Sequence, residues 1–131
     1  MNIEYSSEKL EKNEFIDILK RSTLAHRRPI DDVKMMKNMV ENCSIMIVAK
    51  EGEKIIGVAR SISDFSYCCY LSDLAVDQEY QRQGIGKMLI KKTQEQLQDN
   101  CKIILLSAPD ATEYYPKLGF EKHPSAWVLQ K

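Results

Sequence analysis

The chain has 131 residues, with 19 Lys or Arg balanced by 19 Asp or Glu and no net charge. That size supports one core, and a neutral chain lacks the basic excess of a general nucleic-acid or membrane-surface binder. No apolar run approaches the roughly 18 residues of a membrane span. The opening MNIEYSSEKLEK lacks the basic-then-apolar order of a signal peptide. The expectation is one domain over residues 1–131, in the cytoplasm, with no nucleic-acid or membrane partner. Cys43, Cys68, Cys69 and Cys101 form no CxxC pair, and neither His26 nor His123 completes a zinc spacing. Four reduced thiols and no metal are expected.

In chain order, Ile3 to Tyr5 reads as a short strand. A helix follows over Glu8 to Ser22, with Leu10, Phe15, Ile18 and Leu19 on one side; Asn13 is an alternative N-cap. His26-Arg27-Arg28-Pro29 is an irregular basic connection. Asp31 or Asp32 then caps a second helix bearing Val33, Met36, Met39, Val40 and Cys43 at helical spacing. Ser44–Lys50 and Lys54–Ile62 flank the turn signal Glu51-Gly52 and read as an antiparallel hairpin. Asp64-Phe65-Ser66 is a turn before a long strand, Tyr67 to Val76. Gly84 to Gln98 is the clearest helix, with Ile85, Met88, Leu89 and Leu97 on one face. Ile103–Ser107 reads as a buried strand, Asp110–Leu118 as a short helix stopped by Gly119, and Trp127-Val128-Leu129 as a last strand. His123 and Trp127 are read as structural. This order predicts an α+β fold with a mixed sheet.

The segment Leu74–Leu89, LAVDQEYQRQGIGKML, carries the chemistry. A strand ends at Val76, a polar turn follows, and Gln81-Arg82-Gln83-Gly84-Ile85-Gly86 opens a helix. The first turn of a helix offers unpaired N–H groups and the positive end of its dipole, a setting suited to phosphate. Gly84 and Gly86 bring no Cβ between ligand and backbone, and Arg82 and Lys87 add charge. A glycine pair before a helix is a weak signal alone. It is not the dinucleotide fingerprint, because Leu89 stands where the third glycine belongs, and no GxxxxGK[ST] loop is present.

Together with Ala111-Thr112-Glu113-Tyr114-Tyr115-Pro116-Lys117-Leu118-Gly119-Phe120 downstream, this segment resembles the GNAT N-acetyltransferase superfamily. The resemblance covers some 40 to 50 residues directly. It implies a mixed, mostly antiparallel sheet flanked by about four helices, with strands splayed at an acetyl-CoA site. It implies that the pantetheine arm pairs with Leu74, Ala75 and Val76, that the pyrophosphate sits on the N–H groups of Arg82 to Lys87, and that Tyr115 protonates the leaving thiolate. Two departures stand out. Pro116 biases Tyr115 away from helical geometry, and Ala108 stands where many members carry a cofactor-holding asparagine.

The reaction implied is direct acetyl transfer from acetyl-CoA to a primary amine. The alternatives are a protein or peptide lysine or N-terminal acetyltransferase, and a non-catalytic acyl-CoA-binding module. Asp73 is the candidate general base, with Asp64 as a turn-forming alternative. Cys68 and Cys69 raise a ping-pong route that no neighbouring charge supports. The acceptor is expected where the first two helices meet the strand Tyr67–Val76. Arg27 and Arg28 would recognise an acidic group, and Tyr67 would line the cleft. A small-molecule amine is the expected partner, with a homodimer through the last strands as the family's common assembly.

Overall fold

The structure, a computed structural model, describes residues 2–131. Five strands form one sheet in the order β1-β2-β3-β4-β5: β1 (Ile3–Ser7), β2 (Ile45–Glu51), β3 (Lys54–Ser63), β4 (Cys68–Val76) and β5 (Lys102–Ile104). The first four are antiparallel in sequence and β5 runs parallel to β4. Among the described residues there are three α-helices, α1 (Lys12–Ser22), α2 (Val33–Glu41) and α3 (Ile85–Glu95), rather than about four. None is long and apolar enough to cross a membrane.

β2 explains the layering. Its apolar run is buried on both faces, as an internal strand requires. Met46 and Val48 meet Phe15, Ile18 and Leu19 of α1 and Met36 and Val40 of α2. Ile45, Ile47 and Ala49 meet Ile85, Leu89 and Ile90 of α3. Thus α1 and α2 cover one face and α3 the other. The helix starts are set by local chemistry. The Glu11 N–H donates to the Glu14 carboxylate at 3.0 Å, so the first helix begins at Lys12, not Glu8 or Asn13. Asp32, not Asp31, caps α2 by accepting from the Met35 N–H at 3.0 Å.

Asp64 is the turn former. Its Oδ1 accepts from the backbone N–H groups of Ser66, Tyr67 and Cys68 at 3.0, 2.8 and 3.1 Å. Those bonds, the Tyr67 one foremost, hold its carboxyl below the usual carboxylate range. A carboxyl lowered by folding stabilises above its unfolded pKa, and that contribution is lost as pH falls through the folded value. Asp64→Ala is therefore expected to lower Tm by a few degrees at neutral pH, with a deficit that shrinks on acidification. Thermal melts of both proteins across acid pH check this; a constant deficit contradicts it.

The C-terminal third departs from expectation. The stretch read as the helix Asp110–Leu118 forms two 3-10 turns, Pro109–Ala111 and Tyr115–Leu118, because Pro116 has no N–H for a helical ladder. Gly119 ends the second turn at φ +94°. The strand expected at Ile103–Ser107 closes after Ile104, leaving Leu106 exposed. No strand forms at Trp127-Val128-Leu129, and these side chains are 92%, 74% and 97% exposed. A three-residue β5 offers too short an edge for a ladder. His123 and Trp127 therefore stand in an exposed tail, outside both cores.

Candidate active site

The site begins with one extra residue. Arg60 on β3 lies opposite Asp73, but Ser61 lies opposite Leu71, so Ser72 has no partner in the register. Such a bulge reverses which face the following side chains take. Before it, Cys69 and Leu71 point to the α3 side; after it, Ala75 points to the α1 side and Leu74 and Val76 to the α3 side. β5 pairs only with Cys68, Cys69 and Tyr70. From Leu71 to Val76, β4 has no strand on that flank, and this edge opens onto a cleft of about 1200 Å³. The strands splay as the resemblance implied. Gln81 reaches back across the edge, its Nε2 donating to the Val76 carbonyl at 3.1 Å.

The cleft continues to the start of α3. Gly84 is the N-cap at φ +82°, with no side-chain cap bond, so the first-turn N–H groups stay available to a ligand. Arg82 also turns left-handed, at φ +66°. A Cβ on Gly86 would enter the hydroxyl of Tyr114 and come within 3.9 Å of the Leu74 side chain. Arg82 and Lys87 are exposed cations on the rim. Leu74, Ala75, Val76, Gln81, Arg82, Gly84, Ile85, Gly86 and Lys87 all line this one cleft, whereas Gln83 does not.

The opposite wall is the irregular stretch from Leu105 to Leu118. Tyr115 faces inward from it, its ring edge-on to Tyr114 at 5.2 Å and to Phe120 at 5.5 Å. Burial pushes its phenol above the ordinary tyrosine value; Tyr114 adds to this and the Arg28 charge opposes it. Ala108 lines the same wall with no polar side chain to offer.

Beyond Tyr115 the sequence reading needs correction. Asp73, expected as the general base, has a fully buried side chain. One of its oxygens accepts from Arg28 Nε and the other from Arg60 Nε. Both oxygens are engaged by guanidiniums, and Asp73 is absent from the cleft lining. Arg28, expected to hold substrate, lines the cleft but spends its other nitrogens on the carbonyls of Arg27 and Ser72, at 2.8 and 2.7 Å. Arg27 is exposed at the rim. Tyr67 does not line the cleft: it lies just before β4, 68% exposed, with the Lys102 ammonium 5.3 Å from its ring centroid. Cys69 is buried with its thiol pushed up by burial, and Cys68 is exposed; neither lines the cleft.

Arg60, Ser72 and Tyr114 were missed. Arg60 carried a signal, since an arginine inside the apolar run IIGVARSI is buried only with a partner. Its side chain is 5% exposed.

The comparisons agree with this geometry. Residues 4–128 match the acetyltransferase (GNAT) domain family model. The chain is 32% identical over 101 residues to the uncharacterized N-acetyltransferase ycf52 of Pyropia yezoensis, covering 75% of this chain and 58% of that protein. It is 34% identical over 108 residues to the histone acetyltransferase TAP1 of Glycine max, covering 75% and 47%. The chain thus spans about half the length of the curated relatives it matches. Its fold is shared with AAC(6')-Iy, solved with the bisubstrate analogue CoA-S-monomethyl-acetylneamine, at TM-score 0.75 and 15% identity, covering 100% of this chain and 99% of that one.

Proposed function

This chain belongs to the GNAT acetyltransferase family, and from that premise we propose that it transfers an acetyl group from acetyl-CoA directly to a primary amine of a small molecule. One observation carries the reading: the free edge of β4 runs into the uncapped start of α3 in a single cleft, with Tyr115 on the facing wall.

The residues fit the cosubstrate. Leu74, Ala75 and Val76 offer strand-edge N–H and C=O groups to the amides of the pantetheine arm. The backbone from Arg82 to Lys87 offers N–H groups and positive charge to the pyrophosphate. Gly86, having no Cβ, leaves room beside the helix start for the Tyr114 hydroxyl. Bound there, acetyl-CoA supplies an activated thioester carbon. A backbone N–H of Leu74 to Val76 donates to the oxyanion formed when the amine attacks. As the carbon–nitrogen bond forms and the carbon–sulfur bond breaks, the Tyr115 hydroxyl gives its proton to the departing thiolate. Its raised pKa keeps that proton in place across the neutral range. Asp73 is sealed by its arginines, so the attacking amine loses its proton to water at the open acceptor end.

A small acceptor is supported by the fold shared with AAC(6')-Iy, whose bound analogue joins CoA to an acetylneamine. The Glycine max relative named a histone acetyltransferase supports a second reading, in which the acceptor is a protein lysine or N-terminus. Acetyl-CoA incubated with free primary amines and with lysine peptides, read by mass spectrometry, separates the two. The expected result is a kcat/KM for the best free amine at least about tenfold above any peptide, a difference of about 1.4 kcal/mol in transition-state binding. The reverse order contradicts the small-molecule reading. The proposed compartment is the cytoplasm.

A further inference from the structure

We propose that Asp73 and Arg60 are positioning residues, which together with Arg28 clamp the Ser72 bulge and so fix the course of β4's free edge. The proposal rests on the reading of the cleft as the acetyl-CoA site. Ser72 has no ladder partner on β3, yet two guanidiniums grip it. Arg28 Nη2 donates to its carbonyl at 2.7 Å, and Arg60 Nη2 to its Oγ at 2.8 Å. Asp73 aligns both guanidiniums, taking one Nε on each oxygen. The remaining nitrogens reach outward, Arg28 to the Arg27 carbonyl at 2.8 Å and Arg60 to the Met39 carbonyl at 3.2 Å. One cluster therefore ties the bulge to β3, to the loop after α1 and to α2.

Stability alone gives no reason for this arrangement, because well-packed apolar side chains generally serve as well as a buried ion cluster. Register does. Loss of the extra residue at Ser72 would shift the register beyond it by one, turn Leu74 and Val76 to the opposite face and move the edge that faces the cofactor. Hydrogen bonds to both the carbonyl and the hydroxyl of Ser72 specify the bulged residue itself. The clamp also leaves Arg28 on the cleft wall, where its charge is felt at Tyr115.

The test compares wild type with Asp73→Asn, Arg60→Lys and Ser72→Ala, with kinetics expressed per folded molecule. Asp73→Asn and Arg60→Lys are expected to lower kcat at least tenfold and to raise the acetyl-CoA KM at least tenfold. Ser72→Ala, which removes one acceptor and retains the fold, is expected to shift both a few-fold in the same direction. The double variant Arg60→Met with Asp73→Leu is expected to recover Tm, because it replaces the fully buried pair with packing and leaves Arg28, 20% exposed on the cleft wall, to water, but not to recover kcat or KM. Wild-type kinetics in that double variant, or in folded Ser72→Ala and Asp73→Asn, overturns the proposal by reducing the cluster to a structural one. Hydrogen exchange of the Leu71–Val76 amides separates this from failure of the cofactor reading. It is expected to quicken at least tenfold in Asp73→Asn whether or not acetyl-CoA binds, and unchanged exchange there also overturns the clamp.

Discussion

Tyr115→Phe is expected to lower kcat by about two to three orders of magnitude while leaving acetyl-CoA affinity within about twofold. The phenylalanine keeps the ring and its edge contacts with Tyr114 and Phe120; only the hydroxyl is lost. The pH profile sharpens the test. As the proposed acid, Tyr115 must act while protonated, so the wild-type rate is expected to fall as pH rises through its raised value, and the variant to lack that alkaline limb. Burial first and Tyr114 second raise the position of the limb, and Arg28 lowers it. Steady-state kinetics from neutral to alkaline pH read both effects. An unchanged kcat would place the acid elsewhere.

Gly86→Val is expected to weaken acetyl-CoA binding by about a hundredfold, about 2.8 kcal/mol. The new Cβ enters the Tyr114 hydroxyl and lies 3.9 Å from Leu74, so the tyrosine must give way beside the start of α3, the proposed pyrophosphate site. The fold survives, because glycine is itself a poor helix residue, about 1 kcal/mol worse than alanine. Gly84 behaves differently. Nothing lies within 4 Å of a Cβ there, but φ is +82°, so Gly84→Ala pays about 1–2 kcal/mol in backbone strain without filling the cleft. A larger binding loss at Gly84→Ala than at Gly86→Val, with both proteins folded by circular dichroism, contradicts this assignment.

The β4–α3 junction was legible in sequence because its determinants are local. An apolar strand, a polar turn, two glycines and an amphipathic run are consecutive, and the proposed phosphate site is made of their backbone. The surroundings of Tyr115, the proposed acid, were less legible, since Pro116 interrupts the stretch, which forms two 3-10 turns. Asp73 and Arg28 were misread as independent chemical groups. They lie 45 residues apart and meet only because the Ser72 bulge turns Asp73 toward α1. Nothing in strict strand alternation gives that parity. Tyr67 was expected in the cleft, yet it sits beside the end of β4 that β5 covers. The last strand failed for a related reason. Trp127-Val128-Leu129 has strand composition, but a strand also needs an edge, and β5 supplies three residues.

The most direct test of the central claim is a calorimetric titration of the purified protein with acetyl-CoA, run beside CoA and NADH and repeated on Gly86→Val. Saturable binding of acetyl-CoA and CoA, no binding of NADH, and a sharply weakened curve for the variant are the predicted results. No heat of acetyl-CoA binding up to millimolar concentration, or equal binding by wild type and Gly86→Val, would contradict the assignment of this cleft.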